Sequence, residues 1–329
     1  MTGPQISWLP DGRRLHMNHG PIDLIVEAWG EAGEVRLAYG QAAARFETIL
    51  TELVGELGVL RSPVSIIPPP LTPPRKGEGG ENVAVTPSPL RGGVRGGGTV
   101  PPTLTGPTAR RMFRTVVPYA EQFITPMAAV AGAVADEMLA AMTKGRKLAK
   151  AYVNDGGDIA LHISPGQSLT LAVGGTGNGL GDRLTIHHDD PIRGIATSGW
   201  RGRSFSLGIA DAVTVLAANG AAADAAATII ANAVDLPGHP AIRRESANSI
   251  QPDTDLGDRL VTTGVGILSD GEIAEALARG VAIAESLMRR SLIHGAALFL
   301  AGQATVVGAV PAPLSKPSGQ ARMKEMLHA

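Results

Sequence analysis

DAVTVLAANGAAADAAATIIANAV, residues 211–234, decides the fold. Its first part, Asp211 to Ala217, is a short apolar run rich in Val, which reads as a buried strand. The Asn219-Gly220 break then supplies a helix start, and the Ala-rich run from about Ala221 to Val234 reads as a helix with little side-chain bulk on any face. Working outward, strand texture precedes this unit at Ala151–Asn154, Ile159–Ile163, Ser168–Val173, Leu184–His188 and Gly194–Ser198, with Gly-rich turns between. A helix over Gly271–Arg290 follows it, and then two apolar segments, Ala296–Leu300 and Ala304–Val310.

The first third has the same alternation. LHMNHGPIDLIVEA, Leu15 to Ala28, is strand-like on both sides of Gly20-Pro21 and reads as an opening hairpin or one kinked strand. Leu37, Phe46, Ile49, Leu50, Leu53 and Leu57 recur at helical spacing within Glu34–Leu57, and a further helix is expected over Thr125–Met142, with Pro126 in its first turn. Strand blocks in hairpin order with helices inserted between them predict an α+β fold, a largely antiparallel sheet with packed helices, and exclude a doubly wound dinucleotide fold. One domain over residues 10–310 is expected. Within it, residues 62–108 carry the Pro63–Pro107 run that holds eleven of the 24 prolines, a composition that predicts a disordered Pro/Gly-rich insertion; its halves PLTPPRKGEGG and PSPLRGGVRGGG look like translated arms of an inverted DNA repeat. Residues 311–329 are expected to form a mobile tail.

Composition excludes several functions. The 329 residues carry a formal net charge of -1, so no global field draws the chain to nucleic acid or an anionic membrane. Cys is absent and aromatics are 3%, which removes disulfides, thiolate metal sites and base-stacking platforms, so any metal takes O or N ligands. No apolar stretch reaches the roughly 18 residues of a spanning helix, and Met1–Gly12 lacks the apolar core of a signal peptide; a cytoplasmic location is expected. The Ala-rich helices could mediate a homodimer.

Three constellations can carry chemistry. In NDGGD, Asn154–Asp158, the adjacent Gly156 and Gly157 let backbone approach a ligand while Asn154 and Asp158 offer hydrogen bonds to ribityl or ribose hydroxyls; the same residues equally suit a tight hairpin turn. In ATSGWRGRSFSLG, Ala196–Gly208, the hydroxyls of Thr197 and Ser198, then Gly199, and the guanidinium groups of Arg201 and Arg203 could accept a phosphate or a flavin edge, or form a solvated basic loop. Third, Asp224 and Thr228 stand four residues apart on one helix face, where carboxylate and hydroxyl could hold Mg²⁺ against a diphosphate near the positive end of the helix. As a plain dipole partner, Asp224 would contribute only about 0.3–1 kcal/mol. HHDD, His187–Asp190, offers four donors, but neighbours in a strand point to opposite faces. GGTGNGLG, Gly174–Gly181, does not match GxGxxG and reads as a loop.

As an ordered set, AVAGAVADEM (129–138), VNDGGDI (153–159), IATSG (195–199) and AVTVLAANGAAADAAAT (212–228) resemble the ApbE-like superfamily, the FAD:protein FMN transferases, and within it an uncharacterised divergent branch. The resemblance covers most of residues 15–310 outside the Pro/Gly run and implies an ApbE-like, T-fold-related architecture. It implies FAD and Mg²⁺ as cofactors, with Asp224 and Thr228 at the family's metal-binding Asp and Thr. The family's A-K-G-x-x-x-D segment lines up with Val130, Ala131, Gly132 and Asp136, so Val130 would offer a carbonyl as third ligand, and Ala131 stands where that segment has Lys. Asn154, Gly156, Gly157, Asp158, Thr197, Ser198, Gly199 and Arg201 would line the flavin cavity; no general base is evident from the sequence, and Asp158 and Asp211 are the carboxylates to test as catalytic groups. The implied reaction moves FMN from FAD to a Ser or Thr of a protein acceptor; the alternative is a flavin- or nucleotide-binding protein without transfer. The chain departs from the family in RGRSFSLGIADAVTV, where the transferases carry a His-rich stretch ending D-P-x-T-G, and in having neither the signal peptide nor the anchoring Cys of the exported lipoproteins.

Overall fold

A computed structural model describes residues 3–64, 103–172 and 183–308. Strands β1 (Gln5–Trp8), β2 (Leu15–His19) and β3 (Ile22–Gly30) open as a meander, with Gly20 at a φ of 59° making the expected hairpin. Helices α1 (Ala32–Gly55), α2 (Leu57–Leu60), α3 (Pro107–Val116) and α4 (Val130–Thr143) follow. Next come β4 (Leu148–Asp155), β5 (Asp158–Ile163), β6 (Ser168–Ala172), β7 (Arg183–His187), β8 (Gly194–Ser198) and β9 (Ala212–Ala217). The chain continues through α5 (Gly220–Ala233), β10 (Ile242–Ser246), α6 (Ala247–Ile250) and β11 (Leu260–Val265), then α7 (Asp270–Arg289), β12 (Gly295–Leu300) and β13 (Gln303–Gly308).

Nine strands form one sheet in the order β1-β2-β3-β4-β5-β8-β9-β12-β13, antiparallel at every pairing. The fold is α+β, a large antiparallel sheet with helices packed on it. Helices α1, α4, α5 and α7 cover one face, because each carries an apolar stripe that only the sheet can bury. On α1 that stripe is Phe46, Ile49, Leu50 and Leu53, each removing apolar surface worth about 1.5–3 kcal/mol. The hairpin β6–β7 shields part of the other face, with Leu169, Leu184 and Ile186 packed on Ile159, Leu161 and Ile163.

Two elements differ from the sequence expectation. The helix expected over Thr125–Met142 begins with a tight 3-10 turn at Pro126–Ala129 and turns α-helical only from Val130. Most Ala residues of α5, among them Ala221, Ala223, Ala225, Ala226, Ala227 and Ala231, are spent on packing within the chain, while Ala222 and Ala233 are half-buried. Of the segment 62–108, residues 65–102 lie outside the described residues, as do Gly174–Gly181 and the 311–329 tail. At the near end Val64 is buried and its N–H donates to Ile124 O at 2.9 Å; at the far end Pro107 opens α3.

Candidate functional site

Helices α4 and α5 cross by backbone contact. A Cβ on Gly132 would lie 2.2 Å from Gly220 O, and one on Gly194 of β8 would lie 1.9 Å from Asn219 O, so both positions require glycine for proximity alone. The crossing is fastened by two carboxylates acting in opposite directions. Asp136 of α4 accepts from Gly220 N at 2.8 Å and Ala221 N at 3.0 Å, while Asp224 of α5 accepts from Gly132 N at 3.0 Å. Asn219 completes the first turn of α5, taking Ala222 N on its side chain and Ala223 N on its carbonyl. The leading N–H groups of α5 are therefore satisfied within the chain, and a diphosphate beside Asp224 would have to find its donors elsewhere.

The β4–β5 turn lies at the end of two strands on which α4 packs. It is a two-residue hairpin with φ of 62° at Gly156 and 118° at Gly157, closed by Gly157 N donating to Asn154 Oδ1 at 2.8 Å. Hairpin geometry and a site are thus compatible readings of NDGGD. The turn pairs Asp155 with Asp158. Asp155 is buried, on the face already set by Ala151 and Val153 of its strand, and Asp158 accepts from Thr197 N at 3.2 Å. Burial, with the Asp158 charge adding to it, pushes Asp155 up to about 7; burial likewise pushes Asp158 up to about 7. Asp224 is raised well above the ordinary carboxylate range by burial and then by the charges of Asp158 and Asp155. Opposing these charges is Arg203, whose guanidinium packs on Gly156, with Nη2 1.8 Å from where a Cβ would stand.

The loop from Gly199 to Asp211 divides in two. Arg201 stacks on Trp200 and donates from Nε to Asp211 Oδ1 at 2.5 Å, while Trp200 Nε1 reaches the same oxygen and Ala301 N donates to Asp211 Oδ2 at 2.7 Å. Asp211 and Arg201 satisfy each other. The second half is built into the protein: Leu207 N donates to Asn232 Oδ1, Thr262 Oγ1 to Gly208 O and Ile209 N to Val234 O. The loop is neither wholly a solvated basic loop nor wholly a phosphate cradle.

The structure thus gathers Asn154, Gly156, Gly157, Asp158 and Thr197 at one strand-end region, with Asp224 near enough to Asp158 to feel its charge. Thr197 Oγ1 pairs with Thr214 Oγ1 at 2.9 Å; Ser198 is half-buried at the end of β8, and Gly199 is held close to Asp211 O. Thr228 is one turn along α5 from Asp224, and Val130 is the first residue of α4, directly after the Pro126 turn. Sequence reasoning left Asp155 unassigned and missed the capping role of Asp136, although the alternation in β4 marks Asp155 as inward-facing. HHDD is a turn: His187 N donates to Asp190 Oδ2 at 2.7 Å and His188 Nδ1 sits 2.7 Å from Ile163 O. Among the described residues no three His, Asp or Glu side chains converge as a ready metal cage, and no helix is long and apolar enough to cross a membrane.

Comparison with known proteins agrees with the ordered motifs. Over 114 residues, 33% of this chain and 45% of the relative, the sequence is 40% identical to a UPF0280 protein of Methanocaldococcus jannaschii. A UPF0280 protein of Methanothrix thermoacetophila is 40% identical over 112 residues, and one of Methanothermobacter thermautotrophicus 36% identical over 134 residues, 50% of its length. The chain spans half or less of the length of these relatives. A family model described as AbpE bacteria matches residues 6–84 and 82–306, nearly all of the sequence before the tail, and the chain belongs to this ApbE-like family.

Proposed function

We propose that this protein uses a flavin nucleotide, FAD, together with Mg²⁺, at the junction of the β4–β5 turn and the α4–α5 crossing. The observation that carries this reading is the pairing of Asp155 and Asp158 across the β4–β5 turn, with the charges of both acting on Asp224; burial raises all three above the ordinary carboxylate range, and the guanidinium of Arg203 acts on Asp155 and Asp158. Such a cluster is relieved by a cation, and its hard oxygen donors suit Mg²⁺. Asp224 accepts from the backbone N–H groups of Gly132, at 3.0 Å, and of Ala131; with the Thr228 hydroxyl and the Val130 carbonyl it forms the donor set that would hold the ion. Bound there, Mg²⁺ would neutralise a diphosphate during transfer of the FMN phosphoryl group to a Ser or Thr hydroxyl of a protein acceptor, with AMP leaving.

The chain's own residues divide the remaining work. Asp158 has Oδ1 anchored by Thr197 N, and a carboxyl lifted to about 7 is matched to accepting a hydroxyl proton near neutrality on Oδ2. Asp211, tied to Arg201, Trp200 and Ala301, is the poorer base. A second reading, binding without transfer, is favoured by Ala131 in the position where the family segment carries Lys.

Titration of the full chain with FAD, with and without Mg²⁺, followed by flavin fluorescence, tests the proposal. Quenching that needs Mg²⁺ and is lost in Asp224→Asn is expected; AMP release then separates transfer from binding alone. Equal or absent quenching in all conditions would remove the flavin reading.

A further inference from the structure

We infer that the open flank of α1, together with the edge strand β1, is the surface on which two copies of this chain associate, helix against antiparallel helix and strand against antiparallel strand about one two-fold axis. No ligand takes part, so the association is separable from the flavin reading by experiment.

Helix α1 has two unlike flanks. On one, Arg45 Nε donates to Glu137 Oε1 at 2.9 Å and Gln41 Nε2 to the Lys144 carbonyl at 3.0 Å, so α4 and the turn after it close that side. Opposite it, Arg36, Gly40, Ala43, Glu47 and Val54 fall on one stripe of the helix, all exposed except the half-buried Ala43. The charges divide the same way. Glu34, Arg45 and Glu52 are paired within the chain, whereas Arg36 and Glu47 have no ion-pair partner among the described residues. A glycine inside a helix is destabilising relative to alanine unless a close approach requires it. Gly40 stands mid-helix, and a Cβ there would meet nothing beyond its own helix within 4 Å, so no contact among the described residues calls for glycine. A second helix crossing at Gly40 does.

Strand β1 lies under the same border. Its Trp8 packs edge-on against Tyr39 of α1, ring centroids 5.1 Å apart, and Ile6, two residues away, points to the same side. Ile6, Trp8 and Val54 are exposed, and with Leu37 at the outer edge of the stripe they make up half of the large apolar side chains exposed among the described residues. β1 is the end strand of the sheet, exposed at all four residues and carrying no charge or proline, the features by which edge strands otherwise resist pairing. Antiparallel packing about a point between Gly40 and Ala43 sets Gly40 against the partner's Ala43 and Arg36 against the partner's Glu47, so the stripe is complementary to itself in size and in charge. The same two-fold runs β1 antiparallel to its copy, the sense of every pairing already in the sheet. At the opposite edge α7 offers no such match, because Arg279 pairs with Glu275 and Arg289 with Glu285 along that helix.

Sedimentation equilibrium of the full chain tests the surface. Wild-type protein should dimerise. Arg36→Glu and Glu47→Arg each alter two contacts per dimer and should each weaken association roughly tenfold, while both together should restore it. Gly40→Gln should dissociate the dimer yet melt no lower than wild type at a dilution where both are monomers, since its side chain has room in the single chain and favours the helix. A lost interface is thereby told from a lost fold. Wild-type chain that stays monomeric up to millimolar concentration overturns the proposal, as does a dimer that Gly40→Gln leaves intact or that the paired charge reversal fails to restore.

Discussion

Asp136 and Asp224 perform the same mechanical task at the two ends of one helix crossing, and their surroundings make them different residues. Each projects from its own helix to cap the other. Asp136 gives both oxygens to backbone N–H groups, and Arg111 stands 4.0 Å away, so the cost of burying its charge, which still raises its carboxyl, is partly offset locally. Asp224 accepts from the backbone N–H groups of Gly132 and Ala131 and faces two further carboxylates, with no ion-pair partner of its own among the described residues. A buried charge with a cation beside it is a structural part; one repelled by its neighbours is held in place by the fold for some other partner.

The largest expected effect tests that contrast. Asp136→Ala strands Gly220 N and Ala221 N in the interior and should lower unfolding free energy by about 2–4 kcal/mol, measured by chemical denaturation. Asp224→Asn keeps an oxygen for Gly132 N and removes a repelled charge, so its stability should stay within about 1 kcal/mol of wild type or rise. The simple dipole role that the sequence suggested for Asp224 is too small and points to the wrong helix, because the carboxylate serves the first turn of α4. Equal destabilisation by the two substitutions would make Asp224 a second structural cap and dissolve the comparison.

A pH profile sharpens it. Asp155 and Asp158 are pushed up to about 7, so between about pH 4 and 7 the folded chain holds protons that the unfolded chain has released. Their contribution to stability is complete below the ordinary carboxylate range and is lost as pH rises through 7. Glu272, held down at about 2 by the hydrogen bonds of the Ser269 capping box and by His239, works in the opposite sense and only below about pH 4.5. Thermal melting without divalent ions should therefore rise with pH up to about 4.5 and fall from there toward 7. Asp155→Asn should flatten the falling limb, and a falling limb unchanged by Asp155→Asn and Asp158→Asn together would place its origin outside the β4–β5 turn.

How much of this was legible in the sequence follows from where each signal lives. Strand alternation and helical spacing are local, and they gave the paired β2–β3, α1, the block from β4 to β9, α5, α7 and the closing hairpin. The lobe of β10, α6 and β11 escaped because IRRES in β10 is half-exposed or exposed throughout and shows no apolar alternation. Helix α3 escaped because it begins at Pro107, inside the end of the Pro-rich run, and only Met112 and Val116 mark its apolar side beyond that run. In the site, Asp224, Asp158 and NDGGD could be picked out by residue type and spacing. What could not be read is reciprocity: that Asp136 caps α5, that Asp211 is spent on Arg201, and that Arg203 lies over Gly156 are consequences of packing between segments distant in sequence.

The smallest expected effect belongs to the segment furthest from this logic. Glu56 accepts from Thr105 N and Oγ1 and from Gly106 N, so the start of α3 is tied to the end of α1 by its own hydrogen bonds. Val64 is tied to Ile124 at the other flank. Neither anchor uses a residue between 68 and 98, so deleting Pro68–Gly98 should leave both in place. Shortening a connection of that length alters loop-closure entropy by about 1–1.5 kcal/mol, in the stabilising direction if the shorter chain still spans the gap. The melting temperature and Mg²⁺-dependent FAD affinity of the deletion variant should match those of the full chain. Loss of flavin affinity at unchanged melting temperature would mean that the Pro/Gly-rich run contributes to the ligand site, and the boundary between scaffold and site would then have to be redrawn around the α1–α3 connection.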